Sequence, residues 1–226
     1  MALTVVIPYY NQPDMLSIQA RAWARYPPNV RIIVVDDGSK TCPGSIVGAV
    51  KMARLYRITT DIPWNVTGAR NLGMLMCGSQ WAVLTDLDHV LLPAMARKLA
   101  TFTPPDWKWW AYLRRTLASD GRALNIHSAA IMISRQLYWA AGGADEDFSG
   151  HYGFDDGWLT DRLRKLAKPH TVEGVGLEAY SGCPAFADAS VTLNRDPIRN
   201  RALRKRKLRK EAMPSHYLRF RWERVL

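Results

Sequence analysis

Two apolar runs in this chain stop abruptly at clustered aspartates. Ile32-Ile33-Val34-Val35 runs into Asp36-Asp37, and Trp81-Ala82-Val83-Leu84 leads through Thr85 into Asp86-Leu87-Asp88. A third pair, Asp155-Asp156, lies in the glycine-rich stretch His151-Tyr152-Gly153-Phe154-Asp155-Asp156-Gly157. Short apolar runs of this kind read as buried strands. Strands alternating with helices argue for an α/β fold with a mostly parallel sheet. In such sheets ligands bind beyond the carboxyl ends of the strands. Pro8-Tyr9, Asp36-Asp37 and Asp86-Asp88 all fall at such ends. Carboxylates resist clustering unless a cation sits among them, and the cation expected here is a divalent metal carrying a phosphorylated substrate.

The element pattern is regular through the first hundred residues. Leu3–Ile7 reads as a strand, and Met15, Ile18 and Ala22 recur at helical spacing behind Asp14, a candidate cap. Strands are predicted at Val30–Val35, Arg54–Ile58 and Gln80–Thr85, and helices at Gly44–Met52, Thr67–Met76 and Met95–Phe102, the last with Pro93 at its start. The second half predicts strands over Trp107–Leu113 and Ile126–Ser134, and helices over Arg135–Ala141 and Leu159–Leu166.

Charge divides the chain. Residues 195–226 carry 12 Lys/Arg against 3 Asp/Glu, whereas the preceding 194 residues carry 19 against 17. The composition therefore predicts a domain over 1–194, with halves at 1–90 and 91–194, and a basic tail over 195–226. It also removes most support for a nucleic-acid-binding core. No run of eighteen apolar residues predicts a membrane span. The N-terminus reads as a first strand and not as a signal peptide. Cys42, Cys77 and Cys183 form neither a disulfide framework nor a zinc pattern, and they fit a reducing cytoplasm.

Asp86 and Asp88 offer oxygen ligands suited to Mg²⁺ or Mn²⁺; the plain alternative is a solvated turn. Asp36-Asp37-Gly38-Ser39 reads either as a polar loop or as a carboxylate site for a base N–H or ribose hydroxyls. Asn65-Val66-Thr67-Gly68-Ala69-Arg70-Asn71 opens a helix, whose N-terminus and Arg70 can both oppose a diphosphate. Asp155-Asp156 follows a Gly142-Gly143 loop; the two carboxyls can raise one another for general-base work, or simply favour a helix N-terminus.

Taken in order, Val5-Val6-Ile7-Pro8-Tyr9-Tyr10-Asn11, Val35-Asp36-Asp37-Gly38-Ser39, Gly68-Ala69-Arg70-Asn71, Asp86-Leu87-Asp88 and Gly142-Gly143 through Asp155-Asp156 resemble a family 2 glycosyltransferase with the GT-A fold, over roughly residues 3–180. The resemblance implies an inverting hexosyltransferase using a nucleotide-diphospho-sugar, most often UDP-linked, with Mn²⁺ or Mg²⁺. It implies that Pro8 and Tyr9 border the base, and that Asp36 and Asp37 contact base and ribose. Arg70 then lies near the nucleotide, Asp86 faces the ribose, and Asp88 ligates the metal. Asp156 is the implied base, with Asp155 holding the acceptor. The glycine-rich loop is similar to that of galactosyl-type enzymes. The implied partners are the donor and a glycan, lipid-linked or protein acceptor.

Two departures stand out. Relatives carry a His about twenty-five residues past the acidic pair, where this chain reads Leu177 to Gly182 without one. His89 is expected to point away from Asp88, and His216 is the candidate to fold back. The QxxRW string of processive synthases has Leu218 in place of its Gln, so one transfer per acceptor is expected. The basic tail is either a solvated helix or a surface for anionic lipid or polymer, with nucleic acid disfavoured. The expected location is cytoplasmic, with peripheral attachment to the inner membrane face. Tyr217, Phe220 and Trp222 are candidates to dock the tail, and Trp158 to stack on a sugar. The rival readings are a sugar-nucleotide nucleotidyltransferase, which would need a glycine-rich loop where Pro8-Tyr9-Tyr10-Asn11 stands, and a non-catalytic basic binding protein.

Overall fold

The computed structural model describes residues 1–180, 193–210, 213–214 and 216–226. Cys183, and the Ser181 and Gly182 of the region searched for a histidine, lie outside the described residues. One sheet organises the chain. Its strands run in the order β10-β3-β2-β1-β4-β8-β6-β9-β5. The parallel strands foreseen in the sequence are β1 (Leu3–Tyr9), β2 (Val30–Asp37), β3 (Ala53–Ile58) and β4 (Trp81–Leu84). The other half is mixed. There β8 (Ile131–Ser134) lies antiparallel to β4 and to β6 (Trp110–Leu117), while β9 (His170–Ala179) runs parallel to β6. The short β5 (His89–Leu91) pairs with β9, and β7 (Ala123–Leu124) with β6. Strands β5, β7, β9 and β10 (Trp222–Arg224) were not foreseen.

Alternation along β1 decides the layers. Leu3, Val5 and Ile7 face a core shared with Met15, Leu16 and Trp23 of α1 (Pro13–Trp23) and Leu99 of α4 (Pro93–Thr101). Val6 faces the opposite core, with Ala69 and Leu72 of α3 (Val66–Met76), Leu137 of α5 (Arg135–Ala140) and Leu163 of α6 (Asp155–Leu166). The short α2 (Gly44–Gly48) follows β2. Pro13, not Asp14, opens α1: the cap position is Gln12, no side chain caps it, and Asp14 sits in the first turn. Helix α6 begins at the acidic pair itself, four residues before the predicted start, after Phe154 in the left-handed region at φ 66°.

Helix α3 lies close against β1 because Gly73 has no side chain: a Cβ there would overlap the Val6 side chain. Its neighbour Asn71 is fully buried and fully bonded. Its Nδ2 donates to Ala144 O and Glu146 Oε1, both at 2.8 Å, and its Oδ1 accepts from Tyr138 Oη at 2.7 Å and Ala144 N at 3.0 Å. Glu146 in turn accepts from the backbone N–H groups of Leu218 and Arg219, at 2.7 and 3.1 Å. The C-terminal segment thus returns to the body. Helix α7 (Ile198–Lys210) packs through Asn200, Leu203 and Lys207, and β10 pairs antiparallel with β3.

Gly73→Ala is expected to lower unfolding free energy by about 1–3 kcal/mol, the cost of overpacking a filled interface. Urea denaturation, compared with Gly78→Ala, where open space surrounds the position, checks it; equal stabilities would refute the close approach.

Candidate active site

A cleft of about 850 Å³ opens at the carboxyl ends of β1, β2 and β4. Pro8, Tyr9, Asp37, Arg70, Asp86, Asp88, Asp155 and Asp156 all line it. Of the residues predicted to form the site, Asp36 does not. It is fully buried beneath the rim, accepting from Ser39 N at 3.0 Å and lying 3.5 Å from Arg57 Nε. Burial pushes its carboxyl up, with Ser39 and Arg57 opposing. Its place in the structure is to shape the Gly38-Ser39 turn, where Gly38 takes φ 79°.

Arg70 is the centre. Its Nη2 lies 2.7 Å from Asp86 Oδ1, and its Nη1 bonds Asp156 Oδ1 and lies 3.5 Å from Asp155 Oδ2. Burial alone would lower the guanidinium pKa; the charges of Asp156, Asp86 and Asp155 outweigh it and push the value up. Burial, then the adjacent charge of Asp156, raises the Asp155 carboxyl to about 7. Asp156 is the more open of the pair, its side chain 21% exposed against 11% for Asp155. The pair also stands in the first turn of α6, where the helix dipole favours negative charge.

Asp37 anchors the other end. Its Oδ1 accepts from Asn65 Nδ2 at 3.0 Å, Asn65 Oδ1 accepts from Ser149 Oγ at 2.8 Å, and Ser149 shares a 2.7 Å bond with Thr67. That chain ties the end of β2, the start of α3 and the loop before α6 into one wall. Burial lifts the Asp37 carboxyl to about 7; Asp36 and Asp61 add to this, and the bonds from Asn65 oppose it. The adjoining wall is aromatic: Trp64 and Tyr152 pack with ring centroids 4.8 Å apart, and both line the cleft.

Asp86, Asp88 and His89 place one ligand atom each within 4.8 Å of one another. His89 therefore does not point away from Asp88: its Nδ1 lies 2.7 Å from Asp88 Oδ1, though off the line of a hydrogen bond. Strand alternation misled the prediction, since residues 85–88 form a turn between β4 and β5. A buried imidazole nitrogen without a hydrogen-bond partner beside two carboxylates fits a divalent cation. One condition attaches. Arg115 Nη1 lies 2.8 Å from His89 Nε2, and a guanidinium only donates, so the proton sits on Nδ1. Offering Nδ1 to a metal requires that proton to move to Nε2 and Arg115 to turn aside. His216 is exposed and does not line the cleft. Trp158 is buried, its Nε1 donating to Asp145 Oδ2 at 2.9 Å, so it belongs to the core and not to a sugar platform. Trp64 and Tyr152 were missed by sequence reasoning, and only the turn residues around them hinted at a loop wall.

Residues 4–140 match the family model described as Glycosyl transferase family 2, and the chain belongs to that family. No curated protein matches the chain in sequence. Similar solved structures include TarS of S. aureus in complex with UDP-GlcNAc, at 13% identity and TM-score 0.63, covering 78% of this chain and 57% of that one. Another is the mannosyltransferase PcManGT of Pyrobaculum calidifontis in complex with GDP-Man and Mn²⁺, at 15% identity and TM-score 0.61, covering 81% and 58%. A further TarS structure covers 79% of this chain and 36% of its own, at 15% identity and TM-score 0.64. This chain thus spans about a third to three fifths of the chains it resembles. The fold is the GT-A fold: a central, mostly parallel sheet flanked by helices. Among the described residues no helix is long and apolar enough to cross a membrane.

The buried Asp37 has a pH signature. With its value raised from 3.8 to about 7, the folded state holds a proton that the unfolded state has lost between those pH values. Its contribution to stability is therefore full below the lower value and falls as pH rises through the window. Asp155 has the same sign. Asp37→Asn is expected to flatten, without abolishing, the decline in urea midpoint between about pH 4 and 7; an unchanged slope would contradict the burial.

Proposed function

We propose that this glycosyltransferase moves a hexose from a UDP-linked donor to an acceptor hydroxyl in one inverting displacement, assisted by Mn²⁺ or Mg²⁺. The observation that supports this most is the convergence in one cleft of Tyr9 and Asp37 at one end, Asp86 and Asp88 in the middle, and Asp155 and Asp156 on the facing wall. A nucleoside diphosphate fits that order, with base against Pro8 and Tyr9, ribose toward Asp37 and Asp86, and diphosphate beside Asp88. The complexes with UDP-GlcNAc and GDP-Man in structures of the same fold support a nucleotide-sugar donor. Galactose-type sugars come first among those to screen. The acceptor is a glycan, a lipid-linked sugar or a protein, used at a cytoplasmic site. Residues 1–194 form the catalytic unit and 195–226 its basic extension.

Asp156 takes the proton of the acceptor hydroxyl. The freed oxygen bonds to the anomeric carbon from the side opposite the diphosphate. The bond from that carbon to the phosphate oxygen breaks, and the nucleoside diphosphate leaves with the electron pair. Asp155, held mostly buried, orients the acceptor. Arg70 keeps Asp156 and Asp86 at fixed separation and offers a cation to the departing phosphates. Asp88, with His89 once Arg115 has turned away, would hold the metal, which supplies Lewis-acid stabilisation of the leaving group when bound. The wall of Trp64 and Tyr152 limits water entry.

Calorimetry of UDP binding with and without Mn²⁺ tests the donor site. Binding should depend on Mn²⁺ and vanish in Asp88→Ala; absence of UDP binding by the folded wild type, with GDP binding in its place, would overturn the base assignment. Asp156→Asn should lower turnover by about two to four decades while UDP affinity stays within about threefold. A drop confined to affinity would remove Asp156 from the role of base.

A further inference from the structure

Helix α7 has two chemically different faces. The inner one is bonded to the body. Asn200 Nδ2 donates to Phe148 O at 3.0 Å and His151 O at 2.8 Å, Leu203 is buried, and Lys207 Nζ lies 2.9 Å from Asp145 and 2.7 Å from Asp147. Arg204 Nε donates to Asp161 Oδ2 at 2.9 Å. The acids within reach are thus consumed on that side. The outer face carries Arg201, Lys205 and Arg209 at successive i, i+4 positions, with Arg206 at its edge and Lys210 on the flank next to Leu203. All five are exposed, and none has a carboxylate partner among the described residues. Like charges at this spacing repel, so the helix holds its outward charges only because its inner face is anchored.

Apolar side chains are set among these cations. Ile198 is 66% exposed and Leu208 41%, and both share the arc with Arg201 and Lys205. A duplex backbone would leave them uncovered, whereas a headgroup layer covers both kinds of side chain at once. The start of this helix also borders the cleft, because Pro197 and Arg201 line its mouth.

We propose that the outer face of α7 docks on an anionic phospholipid bilayer and sets the mouth of the cleft at the membrane surface. What the docking serves, access to a membrane-borne acceptor, rests on the transferase reading; the docking itself does not. The contact is chiefly electrostatic, since the apolar residues are only two, and it should dissolve at about 0.5 M salt, where screening is short-ranged.

Flotation of the full chain with vesicles of phosphatidylcholine alone, and of phosphatidylcholine and phosphatidylglycerol in equal parts, reads the partition. The wild type should favour the anionic vesicles at least about tenfold, given roughly fivefold per basic residue near such a surface. The variant Lys205→Ser/Arg206→Ser/Arg209→Ser/Lys210→Ser should lose that preference. A variant with the same charge change elsewhere, Arg21→Ser/Arg25→Ser/Arg31→Ser/Lys51→Ser, should keep it. Equal loss in both, no preference in the wild type, or displacement from vesicles by duplex DNA at matched phosphate concentration would each overturn the proposal. UDP binding is measured on the same samples. Its absence in the wild type would sink the donor assignment and leave the vesicle result standing. Should the fourfold variant lose UDP binding, Lys205→Ser/Arg209→Ser decides instead, with at least a fivefold drop expected.

Discussion

A buried guanidinium carries this site. Arg70 is 3% exposed and meets carboxylates from two other parts of the chain, Asp86 beyond β4 and Asp155-Asp156 at the start of α6. Remove the cation, and three acids that line one cleft lose the charge that lets them be neighbours; breaking such a buried arrangement from one side is costly because the remainder is left uncompensated. The next residue, Asn71, points about 100° around the helix, into the core, where it binds Tyr138, Ala144 and Glu146. Two consecutive residues of α3 therefore serve opposite ends: one gathers the acids of the cleft, the other fastens the loop that leads to the acidic pair.

Much of this was readable from local sequence. Ile32–Val35 and Trp81–Leu84 read as buried strands from four consecutive apolar residues between turn signals, and the aspartates after them fall at strand ends beside the cleft, with Asp36 turned under its rim. Arg70 was legible as a cleft residue, since it follows Gly68 in a helix start. What it touches was not, because its partners lie 16 and about 85 positions away. Glu146 looked like one more acid in a polar loop, Gly142-Gly143-Ala144-Asp145-Glu146. Its burial becomes visible only when Leu218 and Arg219 arrive to donate to it. Asp36 and Asp37 look equivalent in sequence, and strand alternation turns one under the rim and the other into the cleft.

The same limit applies to charge. The count of 12 basic residues in the last 32 described a tail, but the packing divides it. Lys207 and Arg204 are absorbed by Asp145, Asp147 and Asp161, and Arg219 reaches Asp147 at 3.0 Å. Composition sums charges that geometry sorts into structural and outward-facing ones. The sequence pattern of α7 carries no strong apolar stripe, so nothing local announces which face is inward; Asn200 and Leu203 find partners more than forty residues upstream.

Strand β10 covers the outer edge of β3, pairing Trp222 with Ile58 and Arg224 with Tyr56. The strand and its cover are separated by more than 160 positions, a contact that closes late because distant segments must first meet. Until then β3 presents a bare row of amide and carbonyl groups, the kind of margin that recruits strands from other molecules. The residues around Trp222 act as a hem: they replace the six-residue margin of β3 with a three-residue edge strand that carries Glu223 and Arg224, and a damaged hem is expected to show first as self-association and only afterwards as lost catalysis.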